Sequence, residues 1–370
     1  MAGQDSVPGP PAGTAGTPGA GWPAARAERR VRLKDVAARA GVSPGLVSLV
    51  LRNQPGPGAQ ARVRVFQAAQ DLGYRADRSA SRLARRRSHH LGVMLDVRNA
   101  IHAELVADLD VAATELGYDL VLSTLTPTRD ERRAAAILVD FRCEALILLG
   151  PQETAVRLSA LGAQLPVVVV GRRMPGAAVD VVRTADDQGV ALAVGHLATL
   201  GHHDIAFVDG GRGTVASDRR RGYRQAMRQL GRAEWLRVIP GSPAEEAGAR
   251  AAATLFGAGR PPTAVIASSD RCAVGLLDAL ARRGRPVPGS VSVVGYDDSM
   301  LARLAHVDLT TVSQDAREQA RQAIALTVDR LENGRPTPRE VVLAARLVVR
   351  GSSGPPATDP ARPGGQPISM

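Results

Sequence analysis

Lysine is almost missing from this chain. Lys34 is the only one among 370 residues, so basic charge rests on arginine, a skew that by itself assigns no function. Aromatic residues make up 3% of the composition, and the cores must therefore be built from Leu, Val, Ile and Ala. The two cysteines, Cys143 and Cys272, lie far apart in sequence. They exclude a disulfide framework and a cysteine metal site, and they fit a reducing cytoplasm. No apolar run approaches the roughly 18 residues that a membrane span needs. The N-terminus is rich in Gly, Pro and Ala without an apolar core, so it reads as neither signal peptide nor anchor. Enzyme signatures are missing too: there is no G-x-S-x-G, no P-loop and no H-E-x-x-H. The Gly-rich DGGRGT at 209–214 has no Walker lysine and reads as a plain loop. His202 and His203 stand beside Asp204, but no further ligand follows at metal-site spacing, which leaves helix capping. No metal and no cofactor are expected.

What is present is a localised charge. Between Arg26 and His90 stand fifteen basic and four acidic side chains, an excess equal to the whole net charge of +11. The remainder of the chain is balanced at 32 of each sign. A short basic segment on a neutral body is the electrostatic footprint of a polyanion-binding module.

The same segment is helical by periodicity. Leu33, Val36, Ala37 and Ala40 form one face, and Gly41 ends that helix. Ser43 is a good N-cap and Pro44 suits the first helical position. Leu46, Val47, Val50 and Leu51 make a second stripe, and Val65, Ala68, Ala69 and Leu72 a third, stopped by Gly73. Two short helices joined through Gly41-Val42-Ser43 describe a helix-turn-helix. Pro44, Gly45, Ser48, Leu49 and Arg52 are left facing outward on its second helix.

From Leu91 short β-branched runs (LGVML, YDLVLS, ALILLG, PVVVVG, DIAFVDG, AVIASS, SVVGYD) alternate with helical stretches such as 102–116, 190–200, 217–230 and 270–282. That alternation means βαβ units and parallel sheets, and its length suits two such subdomains. Ligands in these folds sit beyond the C-terminal ends of the strands. Residues 1–28 and 351–370 are low-complexity and read as disordered tails.

These residues resemble the LacI/GalR transcriptional regulators. The resemblance is carried by VRLKDVAARAGVSPGLVSLVLR, LGYRADRSASRLA, HLATLGHHDIAFVDG, RRRGY, SSDRCAVG, VSVVGYDD and LTTVSQD, in the family's order and spacing. It implies an α/β chain: a helix-turn-helix domain at 29–76, a hinge helix at 77–88, and a periplasmic-binding-protein-like sensor at 89–350. The sensor's two subdomains would be 89–184 with 314–342, and 185–313 with 343–350. The implied function is sequence-specific binding of double-stranded operator DNA by a homodimer, as a cytoplasmic repressor tuned by a small polar effector such as a sugar. Asp77 can cap a hinge helix too short to be stable alone. Leu83 resembles the leucine that wedges into the minor groove, with Arg78, Arg82, Arg85, Arg86 and Arg87 on phosphates. Arg32, Ser43, Pro44, Gly45, Ser48, Leu49 and Arg52 complete the implied DNA-facing set. Members often carry polar side chains at the positions of Pro44, Gly45 and Leu49, so base reading here leans on thymine methyls, Ser48 and DNA shape.

In the sensor, Arg219 and Asp297 match the family's ligand-gripping positions. A guanidinium donates and a carboxylate accepts, which suits a hydroxyl-rich ligand; a structural ion pair is the other reading of the two. Ser269, Asp96, Asn99, His102 and Arg172 are further candidates. Leu149, Gly171 and Pro243 depart from polar or aromatic positions in relatives, which keeps an effector-independent regulator open. A solute-binding protein would need an export signal and no basic head.

Overall fold

The computed structural model describes residues 31–51, 54–74, 87–257 and 259–357. Arg52, Asp77, Arg78, Arg82, Leu83, Arg85 and Arg86 therefore lie outside the described residues. By internal contacts the chain divides into a unit ending at Arg85 and a second from Arg86 onward.

The described residues of the first unit form three helices: α1 (Leu33–Ala40), α2 (Pro44–Leu51) and α3 (Ala59–Asp71). The Asp35 carboxylate accepts from the Arg32 backbone N–H at 2.7 Å and closes the start of α1. Gly41 ends it at φ 65°, a left-handed conformation that costs glycine little. The Ser43 hydroxyl accepts from the Leu46 N–H at 3.2 Å, capping α2. Val36, Ala37, Ala40, Val47, Val50, Val65, Ala68 and Ala69 form the buried core, with Leu33, Leu46, Leu51 and Leu72 packed on it. The three apolar stripes thus face one another. Arg39 on α1 pairs with Asp71 on α3 at 3.1 Å.

The second unit carries two six-stranded sheets. The first contains β1 (His90–Asp96), β2 (Asp119–Leu125), β3 (Ala145–Leu149), β4 (Val167–Val170), β5 (Asp180–Thr184) and β11 (Glu340–Leu343), in the order β11-β5-β4-β3-β1-β2. All its pairings are parallel. Helices α4 (Ala100–Glu115) and α11 (Ala316–Asn333) cover one face; α5 (Glu131–Asp140) and α6 (Ala155–Gly162) cover the other. With both faces covered, β3 and β4 are buried throughout, which is why they read as unbroken apolar runs.

The second sheet contains β6 (Ile205–Val208), β7 (Arg237–Ile239), β8 (Ala264–Ala267), β9 (Ser292–Asp297), β10 (Thr310–Ser313) and β12 (Arg346–Val348), in the order β12-β10-β9-β8-β6-β7. Only β12 runs antiparallel within it. It is covered by α7 (Asp186–Thr199) with α8 (Thr214–Gln229), and by α9 (Glu245–Phe256) with α10 (Asp270–Ala281). At the α9–α10 crossing a Cβ on Gly248 would strike the Cys272 carbonyl, and one on Gly275 the Glu245 carbonyl. The chain passes between the sheets three times, at 184–186, 313–316 and 343–346.

Three boundaries differ from the sequence reading. Arg87 and Ser88 are not helical. The Arg87 guanidinium is held by Glu144 at 2.8 Å and Glu332 at 2.9 Å, which takes it away from phosphate binding. Leu343, expected in the second subdomain, pairs with Thr184 in the first sheet. Residues 351–357, expected as tail, are seated on the second sheet. Ser352 gives its carbonyl to the Val293 N–H at 2.8 Å and its hydroxyl accepts from the Thr310 N–H at 2.8 Å. The Gly354 carbonyl meets His202 Nε2 at 2.8 Å, so the His202 side chain staples this segment while its backbone N–H closes the end of α7 on the Leu197 carbonyl at 3.0 Å. Composition misses this because the partners are backbone groups of distant strand ends that need satisfying. Truncation after Arg350 is expected to lower stability by about 3 kcal/mol, a few buried hydrogen bonds' worth, measured by urea unfolding. An unchanged midpoint would show that the segment adds nothing.

Candidate functional site

Two places collect the residues singled out above. The first is the outer face of α2. Pro44 and Gly45 are exposed, Ser48 is half-buried and Leu49 is 38% exposed, while Val47 and Val50 of the same helix are buried. Arg32 is exposed at the start of α1. Ser43 sits at the helix entrance, its oxygen already accepting one backbone N–H. Arg62 is committed elsewhere, donating to the Gln54 and Pro57 carbonyls at 2.5 and 3.3 Å.

The second lies at the C-terminal ends of both sheets, at their topological switch points, where open α/β folds place ligands. In the first sheet this point falls between β1 and β3. Asp96, at the end of β1, is gripped by Arg98 at 2.9 Å. Its backbone N–H donates to His102 Nδ1 at 3.1 Å. The His102 Nε2 lies 3.2 Å from the Asn99 amide. Burial pushes the His102 imidazole down to about 4, so it is neutral at physiological pH. Arg172, following β4, donates to the Pro151 carbonyl, and burial lowers its guanidinium from the ordinary value.

In the second sheet the switch point lies between β6 and β8. Arg219, on the first turns of α8, is buried there. Its Nε donates to Asp186 at 2.7 Å and its NH1 to the Ser268 carbonyl at 2.5 Å. Its guanidinium lies 3.5 Å from the centroid of the Tyr296 ring. The second terminal nitrogen approaches Asp297 Oδ1 at 3.7 Å, and the Gln314 amide donates to that oxygen at 2.5 Å. The tight ion pair is therefore Arg219 with Asp186, and Asp297 is the looser partner. Asp297 is raised to about 8 by burial, offset in part by Arg219 and increased again by Asp270. Burial also lifts Asp270 to about 6, although Thr311 and Ser299 donate to it. One guanidinium thus sits against the buried Asp186 and the partly buried Asp297, with the buried Asp270 acting on Asp297, an arrangement that rewards a ligand bringing hydrogen-bond donors.

Ser269 contributes little beyond structure. Its hydroxyl caps α10 by accepting from the Cys272 N–H and donates to the Pro243 carbonyl, both at 3.1 Å. The two rims are bridged directly. Arg173 meets Asp218 at 2.7 Å, Arg271 donates to the Arg98 carbonyl at 3.0 Å, and Glu104 accepts from Arg303 and the Met300 N–H. The structure thus sets Arg219 and Asp297 together, and Asp96, Asn99 and His102 together on the facing rim. Asp186 and Gln314 went unnoticed in sequence. Their signal was positional: Asp186 ends the first crossing between the sheets and Gln314 lies in the second. Among the described residues no cluster of His, Cys, Asp and Glu is arranged to hold a metal ion, and no helix is long and apolar enough to cross a membrane.

Residues 32–77 match the model for bacterial regulatory proteins of the lacI family, and residues 194–353 match a periplasmic binding protein-like domain. The chain is 32% identical over 333 residues to the HTH-type transcriptional regulator GalR of Escherichia coli, covering 88% of this chain and 97% of that one. It is also similar to the crystal structure of the Lac repressor dimer bound to operator and the anti-inducer ONPF. The TM-score there is 0.78 at 26% identity, over 88% of this chain and all of the other. A CelR–cellobiose complex aligns with a TM-score of 0.65 at 29% identity, again over 88% of this chain and all of the other. A relative of that identity, matched along nearly its whole length by a chain with this head and this two-sheet body, fixes the assignment: the chain belongs to the lacI family of bacterial regulatory proteins and is a DNA-binding helix-turn-helix transcriptional regulator, not an enzyme.

Proposed function

We propose that the protein is a cytoplasmic repressor that binds a pseudo-palindromic operator as a homodimer and answers to a small hydroxyl-rich effector, a sugar or a molecule like one. Arg32, Ser43, Pro44, Gly45, Ser48, Leu49 and Arg52 would face the major groove and its phosphates. Arg78, Arg82, Leu83 and Arg86 would serve the minor groove. The observation that carries the effector reading is Asp297: a partly buried, loosely paired carboxyl group at a strand's C-terminal end, beside a guanidinium. The cellobiose of CelR and the ONPF of the Lac repressor give the same direction. Asp96, Asn99, His102 and Arg172 would line the facing rim.

A ligand moves operator affinity only through its differential affinity for two arrangements of the subdomains. Asp297→Ala is expected to abolish the effector response while keeping salt-sensitive operator binding. The measurement is operator affinity of both proteins, titrated with sugars that raise the parent's melting temperature. A variant that responds at the parent's concentrations would move the site elsewhere.

One observation favours a second reading, an effector-independent regulator. Three polar bridges already hold the rims together, Ser269 is spent on capping, and Leu149 and Gly171 offer no polar side chain. A parent whose melting temperature no sugar raises would support it.

A further inference from the structure

The motif LTTVSQD ends at the middle crossing between the sheets, and its Gln314 touches more than the cleft. Gln314 is 7% exposed. Its side-chain amide donates to Asp297 Oδ1 at 2.5 Å, on the cleft side. Its backbone carbonyl accepts from the Thr184 hydroxyl at 3.0 Å, at the first crossing, and from the Gln319 amide at 2.9 Å. The neighbouring Asp315 accepts from Arg346 at 3.1 Å, at the third crossing. The first and third crossings are joined to each other by the Ala185 N–H donating to the Leu343 carbonyl at 2.9 Å. The dipeptide Gln314-Asp315 is therefore bonded to both other crossings, and one of its side chains reaches the loosely paired carboxylate of the cleft.

We propose that Gln314 is a positioning residue that couples Asp297 to the hinge, so that the state of the cleft carboxylate sets the relative arrangement of the two subdomains. The physical reason is connectivity through short buried bonds. Subdomain rotation must be absorbed by the few backbone dihedrals at the crossings. A carboxylate that moves, or changes its partner, pulls on the Gln314 amide. Through that residue's carbonyl it pulls on Thr184. Removing the amide cuts this path and leaves the carbonyl in place. The inference rests on the reading of Asp297 as the effector's contact, but it is testable without an effector.

Native Cys143 and Cys272 are 7% and 0% exposed, so spin labels can be directed to Val156→Cys on α6 and Arg282→Cys at the end of α10, one in each subdomain. Inter-label distances are measured by pulsed electron resonance on the full ligand-free chain. The parent should give one narrow distribution. Gln314→Leu should raise the population at longer distance about tenfold, the scale of losing one buried hydrogen bond. Asp297→Asn should broaden the distribution in the parent background and add nothing in Gln314→Leu; such non-additivity is the signature of coupling. Thr184→Val removes the same path from the other end, should behave like Gln314→Leu, and carries the comparison if Gln314→Leu fails to fold. A parental distribution in Gln314→Leu or Thr184→Val, or additive effects with Asp297→Asn, overturns the coupling. A cleft that binds no sugar, with coupling still measured, would overturn the effector reading alone.

Discussion

Operator affinity is expected to fall by about three to five orders of magnitude between 50 and 200 mM salt. The whole excess of positive charge lies between Arg26 and His90, and the remaining residues are balanced. Within the described head, Arg39 and Arg62 are committed to Asp71 and to backbone carbonyls. Arg32 is exposed, and Arg52, Arg78, Arg82 and Arg86 complete a set of five for each protomer. Two copies bring about ten arginines to the duplex, which sets the slope through released counterions. The measurement is fluorescence anisotropy of a duplex selected from random DNA with this protein, titrated across that range. A nearly flat dependence, or an asymmetric footprint, would exclude the symmetric phosphate-bound complex.

The second large effect is on stability. Arg219→Ala is expected to cost about 3–5 kcal/mol, because it leaves Asp186 buried without its counterion. Arg219→Lys should recover only part of this, since one ammonium cannot meet Asp186, the Ser268 carbonyl and the Tyr296 ring together. Asp186→Asn in the Arg219→Ala background should be less damaging than Arg219→Ala alone, because the orphaned charge is gone. Urea midpoints decide: a loss under about 1 kcal/mol would mean that water reaches Asp186.

The same cluster gives stability a pH dependence of known sign. Burial holds Asp297 near 8, above the ordinary aspartate value of 3.8. The folded state therefore binds more protons than the unfolded state between about pH 4 and 8, and stability falls as pH rises through that window. Asp297→Asn should remove this part of the decline, stabilising the protein relative to the parent at pH 8.5 and leaving pH 4 unchanged.

The head was legible in sequence because its determinants are local. Stripes of period 3.6, the Gly41 stop and the Ser43–Pro44 start each act within a few residues. Seven of the strands were legible as β-branched or apolar runs; six of them are buried along most of their length, and only the edge strand β2 is largely open. The other five were not: β10 reads TTVS, β7 has three residues, and β5, β11 and β12 mix charge with valine or leucine. Such segments become strands because a neighbouring strand supplies their hydrogen bonds, and no local pattern encodes that neighbour. The site divides in the same way. Sequence by itself determined the helix-turn-helix, the place of the charge, and the family motifs that mark Arg219 and Asp297. Tertiary structure decided that Arg219 pairs with Asp186 rather than Asp297, that Ser269 is spent on a cap, that residues 351–357 belong to the body, and that Gln314 joins the cleft to the crossings. Apart from the local Ser269–Cys272 cap, these contacts join residues from 17 to 152 positions apart, and pairing at such separations exists only once the chain has closed.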